Sequence, residues 1–314
     1  MCKQKGSHQM REPILKTNNL IKKYSGGAGV KNINMTLNQG DIYGFIGQNG
    51  AGKTTLLRLI TSLIHPTSGN LELFGSSDER ELILARKRIG AMIETPAFFP
   101  KMTARENLEY YRIQREITAE NEIERVLKLV NLDATGSKKF NQFSLGMKQR
   151  LGLALAIMGE PELLILDEPI NGLDPTGMIE FREIISKLNR EKKITILISS
   201  HILSELTQIA TRYGIIHHGE LLKEFTKEEL EKNTQGYITM KVSSAVKAEE
   251  IIHSAMNTKK IEVHSTEEIR LFDFHKDTSK VIELLSSNGI KIYSSNETKI
   301  NLEDYFISVI DEIA

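Results

Sequence analysis

The chain has 314 residues, enough for one large domain and a smaller one. Its 41 Lys and Arg residues balance 41 Asp and Glu residues, and a net charge of zero disfavours a nucleic-acid partner. A single cysteine, Cys2, excludes an internal disulfide and fits a reducing cytoplasm. The polar residues 1–12 lack the apolar core of a secretory signal, and the longest apolar runs fall short of the roughly 18 to 20 residues of a membrane-spanning helix.

Strand and helix patterns alternate from Ile14 to about Glu224, which predicts an α/β nucleotide-binding domain preceded by a tail over 1–13. We expect the helices of this domain to flank a parallel sheet. The predicted elements up to residue 93 are strands over 14–20, 33–37, 41–46, 70–74 and 89–93 and a helix over 54–60.

The segment Gly47–Thr54 fits the pattern G-x-x-x-x-G-K-[ST] between a strand and a helix, which indicates a site for a nucleoside triphosphate. Its glycines let backbone amides approach phosphate oxygens. Lys53 can reach the β- and γ-phosphates, and the Thr54 hydroxyl can bind Mg²⁺. The residues assigned to nucleotide binding here are Gly47, Asn49, Gly50, Ala51, Gly52, Lys53, Thr54 and Thr55.

Residues 103–158 have apolar side chains spaced as in amphipathic helices, so we predict a helical insertion. The α/β pattern returns with an apolar strand over 163–166 that delivers Asp167 and Glu168 to its carboxyl end, where open α/β sheets bind ligands. We expect Asp167 to hold Mg²⁺ and Glu168 to polarise the attacking water. A further strand over 194–199 precedes His201.

The pattern changes after residue 224, and we place a domain boundary near 225. The order of elements in 225–314 matches the ferredoxin-like β-α-β-β-α-β motif, followed by a final helix over 302–313. The predicted strands are 237–242, 261–264, 269–274 and 290–294, and the predicted helices between them are 245–256 and 278–287.

Three short segments and one tyrosine in residues 14–224 resemble motifs of the ABC-type ATPases. Residues 143–150 are similar to the family's signature sequence, 171–175 to its D-loop and 199–201 to its switch-histidine loop, and Tyr24 resembles the aromatic residue that stacks on adenine. The resemblance implies a P-loop ABC-type domain with a mixed sheet and a helical insertion, carrying a small α+β domain at its C-terminus.

The resemblance also implies the chemistry and the partners. It implies an ATPase in which Ser144 and Gly146 face the ATP of a second copy, so that two chains enclose two ATP molecules. Asp174 of the D-loop joins the binding residues, and His201, which contacts the γ-phosphate, joins Glu168 as a catalytic residue. The implied role is the ATP-hydrolysing subunit of a membrane exporter, bound at the cytoplasmic face of the membrane to separate permease subunits, with ATP and Mg²⁺ as cofactors and no nucleic acid.

Two departures from the family pattern matter. The usual double glycine of the signature is Leu145-Gly146 here, and Glu94 stands at a strand end where the family commonly has glutamine. A carboxylate there adds charge near Mg²⁺, so we assign Glu94 to the catalytic and metal-binding sets. These features and the short C-terminal domain resemble the bacitracin-resistance and lantibiotic-immunity subunits, which implies export of a peptide antibiotic or immunity against it.

Other assignments stay open at this point. Ala97, Phe98 and Phe99, between Pro96 and Pro100, are candidates for the permease contact, with a buried core patch as the alternative. A soluble ABC ATPase with a regulatory, DNA or ribosome-related role is the alternative function. Against it stand the single set of motifs and the short separation of Lys53 from Asp167, which leaves no room for a long coiled coil. The C-terminal domain could also be a ligand sensor.

Overall fold

The computed structural model describes residues 12–27, 29–94, 97–234, 236–256, 261–272, 278–298 and 302–313. Most of the predicted tail, Pro96 of the proposed permease contact and the end of the predicted strand 269–274 lie outside these residues. The chain divides into two compact units between Lys227 and Glu228.

The first unit is an α/β domain of alternating strands and helices. In chain order its elements are β1 (Pro13–Lys23), β2 (Gly29–Asn38), β3 (Ile42–Ile46), α1 (Lys53–Ile60), β4 (Ser68–Leu73), α2 (Glu79–Arg86), β5 (Ile89–Met92), α3 (Ala104–Gln114), α4 (Glu122–Leu129), α5 (Leu145–Ile157), β6 (Leu163–Asp167), α6 (Pro175–Lys192), β7 (Thr195–Ser200), α7 (Leu203–Leu206), β8 (Arg212–His217) and β9 (Glu220–Thr226). The helix α8 (Lys227–Asn233) follows at the division between the units.

Two sheets form this unit. The larger has the strand order β5-β6-β7-β3-β8-β9, and all its neighbours are parallel except β8 and β9. The smaller is antiparallel, with the order β2-β1-β4. Every residue of β3, β6 and β7 is buried, as expected for parallel strands covered on both faces. Because these three strands are neighbours, their carboxyl ends bring residues 47–53, 167–168 and 201 to one edge of the sheet.

The predicted insertion over 103–158 is helical. Thr103 and Glu106 form a capping box at the start of α3, and the Ser144 side chain caps α5. Phe98 is only 8% exposed and packs against Tyr111 and Phe140. Phe98 is therefore part of the core of this region, as the alternative of a buried patch expects. Ala97 and Phe99 are exposed, and their role in a permease contact remains a prediction.

The second unit has the predicted ferredoxin-like topology. Its elements are β10 (Tyr237–Val242), α9 (Ala245–Met256), β11 (Ile261–Ser265), β12 (Glu268–Phe272), α10 (Thr278–Ser287), β13 (Ile292–Thr298) and α11 (Leu302–Ile313). The four strands form an antiparallel sheet with the order β11-β12-β10-β13, which places the first and third strands of the motif in the centre. Its core includes Ile238, Met240, Ile269 and Leu271.

The last strand of this sheet begins two residues later than predicted. The amide of Ile290 donates to the carbonyl of Leu285 in the turn that ends α10, where Gly289 has a φ of 78°. Pairing with β10 starts only at Ile292, opposite Val242. The end of the helix thus takes the first residues that the apolar pattern assigned to the strand.

No helix among the described residues combines the length and the apolar character needed to cross a membrane.

Candidate functional site

The loop between β3 and α1 has a conformation that depends on two of its glycines. Gly52 caps α1 with a φ of 110°, a region that side-chain-bearing residues rarely adopt. A Cβ on Gly47 would lie 2.6 Å from the carbonyl oxygen of Ile216. Asn49 and Gly50 are exposed on the loop, Ala51 is buried and Thr55 is half-buried in the first turn of α1. The loop can therefore present backbone amides at the N-terminal end of a helix, a favourable site for phosphate.

Lys53 is buried at the centre of the site. Its side chain is 5% exposed, and its Nζ donates to the carbonyl oxygens of Gly47 at 2.6 Å and Gln48 at 3.2 Å. The same ammonium lies 3.0 Å from Oε1 of Glu168. The structure thus brings the phosphate-loop lysine and the predicted catalytic carboxylate into an ion pair.

Asp167 is held by hydroxyl groups from two different elements. The Thr54 hydroxyl donates to Asp167 Oδ2 at 2.7 Å, and the Ser199 hydroxyl donates to Asp167 Oδ1 at 2.6 Å. Ser199 Oγ also accepts a hydrogen bond from the amide of Glu168 at 2.9 Å. The neighbouring hydroxyl and carboxylate oxygens of Thr54 and Asp167 are the hard oxygen ligands that Mg²⁺ requires, so this donor set fits the ion.

Glu168 links the lysine to the predicted switch histidine. Its backbone has a φ of 48°, which is unusual for a residue with a side chain. In this conformation Oε2 lies 2.6 Å from the His201 ring nitrogen Nδ1 while Oε1 contacts Lys53. Strained backbone of this kind is typical of residues whose position matters for function.

The signature and D-loop residues lie close together, and each segment caps its own helix. Ser144 Oγ accepts from the amide of Met147 at 3.3 Å, and Asp174 Oδ1 accepts from the amide of Gly177 at 3.2 Å, so each caps its own helix. A Cβ on Gly146 would lie 3.8 Å from the Leu173 side chain. Among the described residues, no hydrogen bond or ion pair joins Ser144, Gly146 or Asp174 to the phosphate loop of the same chain.

Tyr24 and Glu94 lie outside the group of residues that pair around Lys53. The Tyr24 ring is 40% exposed just after β1, with the Lys22 ammonium 5.4 Å from its centroid, and its stacking on adenine remains a prediction. Glu94 follows β5 with a φ of 61°, its side chain is 64% exposed, and it forms an ion pair with Arg58 of α1. Its assignment as a metal ligand and catalytic residue remains a prediction.

Ser199 is the site residue whose role the sequence analysis missed. It was included only as part of the switch-histidine segment, although its hydroxyl contacts both members of the Asp167-Glu168 pair. A signal was present, because a hydroxyl residue at the end of a buried apolar strand requires a hydrogen-bond partner. The identity of that partner follows only from the pairing of β6 with β7.

Comparisons with known proteins identify the family of this chain. The family model described as ABC transporter matches residues 30–171, which include the phosphate loop and Asp167-Glu168. The Bacitracin transport ATP-binding protein BcrA of Bacillus licheniformis is 43% identical over 95% of this chain and 97% of its own length. The Lantibiotic transport ATP-binding protein SrtF of Streptococcus pyogenes is 40% identical over 67% of this chain and 90% of its own length.

A solved structure supports the same conclusion. A dimeric ATP-binding cassette in a post-hydrolysis state, bound to ADP and Pi, has a TM-score of 0.60 and 27% identity, covering 68% of this chain and 98% of that one. The resemblance seen in the sequence motifs is confirmed, together with the fold class it implied. The chain belongs to the family of ABC transporter ATP-binding proteins, which hydrolyse ATP.

Proposed function

We propose that this protein is the ATP-hydrolysing subunit of an exporter that moves a peptide antibiotic of the bacitracin or lantibiotic class. It acts as a pair of identical chains on separate permease subunits at the cytoplasmic face of the membrane. The observation that carries the catalytic part of this proposal is the convergence of Lys53, Glu168 and His201 beside the Thr54–Asp167 pair.

Each residue of this group has a distinct task. When ATP binds, the Lys53 ammonium leaves Glu168 and contacts the β- and γ-phosphates, because the carboxylate and the phosphates compete for the same cation. Glu168, once released, orients and polarises the attacking water. His201, whose ring touches the same carboxylate, is placed to contact the γ-phosphate. The Ser199 hydroxyl donates to the Asp167 carboxylate and accepts from the Glu168 amide, and so fixes the two acidic residues relative to each other.

Mg²⁺ is the metal that this set of oxygen atoms fits. Thr54 and Asp167 would hold it, and when bound it neutralises charge on the phosphates. The exposed Glu94 carboxylate follows β5 at the same edge of the sheet and is the further candidate ligand, which would require it to leave Arg58.

Pairing of two chains is supported by the exposed signature segment and by a related structure. Ser144 and Gly146 lie at the start of α5, where helix amides and the helix dipole favour an anion. The solved ATP-binding cassette described above is dimeric. Two copies of this chain would then complete two nucleotide sites, each built from one phosphate loop and the signature of the partner.

The transported class rests on the relatives. Two of them, 43% and 41% identical to this chain over 95% of its length, are named as bacitracin transport ATP-binding proteins. A third is named as a lantibiotic transport ATP-binding protein. These names support a peptide antibiotic as the substrate and a permease as the partner, and they give no support to a DNA or ribosome role.

The proposal is tested by drug susceptibility in a sensitive bacterial host that expresses the full chain together with a candidate permease. We expect a raised inhibitory concentration for bacitracin or for a lantibiotic. The matched controls are Lys53→Ala, which removes the phosphate contact, and Lys192→Ala on the exposed end of α6. The proposal would be contradicted if the Lys53→Ala variant still protected the host. It would also be contradicted if wild type hydrolysed ATP but protected the host against no peptide antibiotic.

A further inference from the structure

We propose that Arg182 is a positioning residue for ATP hydrolysis, acting through Glu205 on His201. The inference rests on the proposed roles of Glu168 and His201. It starts from two ion pairs made by α6: Glu180 with Arg150 at 3.1 Å and Arg182 with Glu205 at 2.7 Å. We call these two ion pairs the α6 bracket.

The α6 bracket joins three segments of the site. Arg150 lies on α5, whose N-cap is the signature residue Ser144, and Glu205 lies on α7, which begins two residues after His201. Glu180 and Arg182 are two residues apart and therefore project about 200° apart around the helix. The helix that starts at Asp174 is thus fixed on one side to the signature helix and on another to the histidine segment.

The Arg182–Glu205 pair is well placed to hold α7. Its side chains are only 14% and 19% exposed, and the contact is a charge-assisted hydrogen bond shielded from solvent. The helix α7 has four residues, too few to be stable without tertiary contacts. Those contacts are the buried side chains of Leu203 and Leu206 together with the ion pair made by Glu205.

His201 is joined to α7 through a single residue, Ile202. The amide of Ile202 donates to Ser200 Oγ at 2.9 Å, so one tight turn carries His201 between the end of β7 and the start of α7. His201 Nδ1 in turn lies 2.6 Å from Glu168 Oε2. Loss of the Arg182 charge would release Glu205 and let the histidine shift against the carboxylate. Displacements of about 1 Å at a reacting group cost up to about a hundredfold in rate.

The first test compares ATP hydrolysis by the full chain and its Arg182→Met, Arg182→Lys and Glu205→Gln variants. We expect kcat to fall about tenfold in Arg182→Met and Glu205→Gln, with KM for ATP changed by less than about twofold, because Lys53 and its loop are untouched. Arg182→Lys should recover part of the loss. Arg190→Met is the matched control, since this residue of the same helix pairs with Glu191 at the exposed surface. A kcat within about twofold of wild type in both charge-removing variants would overturn the proposal.

The second test separates positioning from a merely structural role. In a His201→Ala background, Arg182→Met should lower the remaining kcat by less than about twofold, because its effect passes through the missing ring. An equal loss in both backgrounds would overturn the proposal. If Arg182→Met does not fold, as judged by its unfolding midpoint, the same cycle is run with Glu205→Gln, which keeps the size of the side chain. The proposed function is tested separately: if wild type hydrolyses ATP and Glu168→Gln does not, the proposed function is supported whatever the result for Arg182.

Discussion

Replacing Glu168 with glutamine is the sharpest test of the site. The substitution keeps the size of the side chain and removes one negative charge between Lys53, at 3.0 Å, and His201, at 2.6 Å. Two effects follow from the same change. The water loses the carboxylate that polarises it, and the Lys53 ammonium loses the anion with which a γ-phosphate has to compete.

Each effect has a magnitude. Loss of a positioned general base lowers the rate by about 10² to 10⁴, which corresponds to about 2.7 to 5.5 kcal/mol of activation free energy. At 3.0 Å and an effective dielectric constant of about 20, the attraction between Lys53 and Glu168 is about 5.5 kcal/mol. Most of this is regained when the ammonium turns to phosphate, so we expect a net tightening of ATP binding of about 1 kcal/mol, or about fivefold.

Three measurements check this prediction. Single-turnover hydrolysis should slow by at least about a hundredfold, titration calorimetry should show tighter ATP binding, and size-exclusion chromatography with ATP should show a stable dimer. Glu191→Gln, at an exposed position of α6, is the matched control and should leave all three unchanged. Hydrolysis within about tenfold of wild type, or a strictly monomeric elution at high protein concentration with ATP, would refute the reasoning.

Three further substitutions probe other parts of the chain. Lys53→Ala should weaken ATP binding by about a hundredfold, because it removes the buried cation of the phosphate site; unchanged affinity by calorimetry would contradict its role. Glu94→Gln should shift the Mg²⁺ dependence of turnover, and superimposable titrations of variant and wild type would make this residue peripheral. Glu122→Gln should lower the free energy of unfolding by about 2 kcal/mol in denaturant titrations at neutral pH. Burial opposes ionisation of Glu122, but hydrogen bonds from Arg125 and from the Gly159 amide hold its pKa below the ordinary value. The Glu122 carboxylate therefore stabilises the fold fully above its pKa in the unfolded chain, and this contribution is lost as the pH falls through its lower pKa in the folded chain. The free energies of unfolding of wild type and variant should converge in acid.

The parts of the structure that the sequence predicted well are those determined by local patterns. The phosphate loop needs glycines at fixed offsets, and the loop conformation follows from a φ of 110° at Gly52. The ferredoxin-like unit was predictable because its strands and helices are short, well separated and ordered as the motif requires. Even there, the start of β13 was misplaced, since the turn that ends α10 uses the amide of Ile290.

The parts that escaped prediction depend on contacts between distant segments. Glu94 was placed correctly at the end of a strand, yet its φ of 61° and its ion pair with Arg58 depend on how β5 meets α1. Phe98 was taken for a candidate surface residue because no local pattern shows that Phe140 covers it. The task of Ser199 likewise depends on the pairing of β6 with β7. In each case burial or pairing across the fold decided the outcome.

The ion pair between Lys53 and Glu168 joins nucleotide binding to catalysis in one exchange. A γ-phosphate that takes the ammonium must displace the carboxylate from it, and the same displacement makes that carboxylate available to water. The Glu168 backbone keeps its place during the exchange, because its amide donates to Ser199. The carboxylate therefore needs to move only at its side chain, where His201 Nδ1 is its other close neighbour at 2.6 Å. Glu168 is therefore restrained until a triphosphate arrives, whereas a diphosphate offers Lys53 only its β-phosphate and competes less strongly with the Glu168 carboxylate.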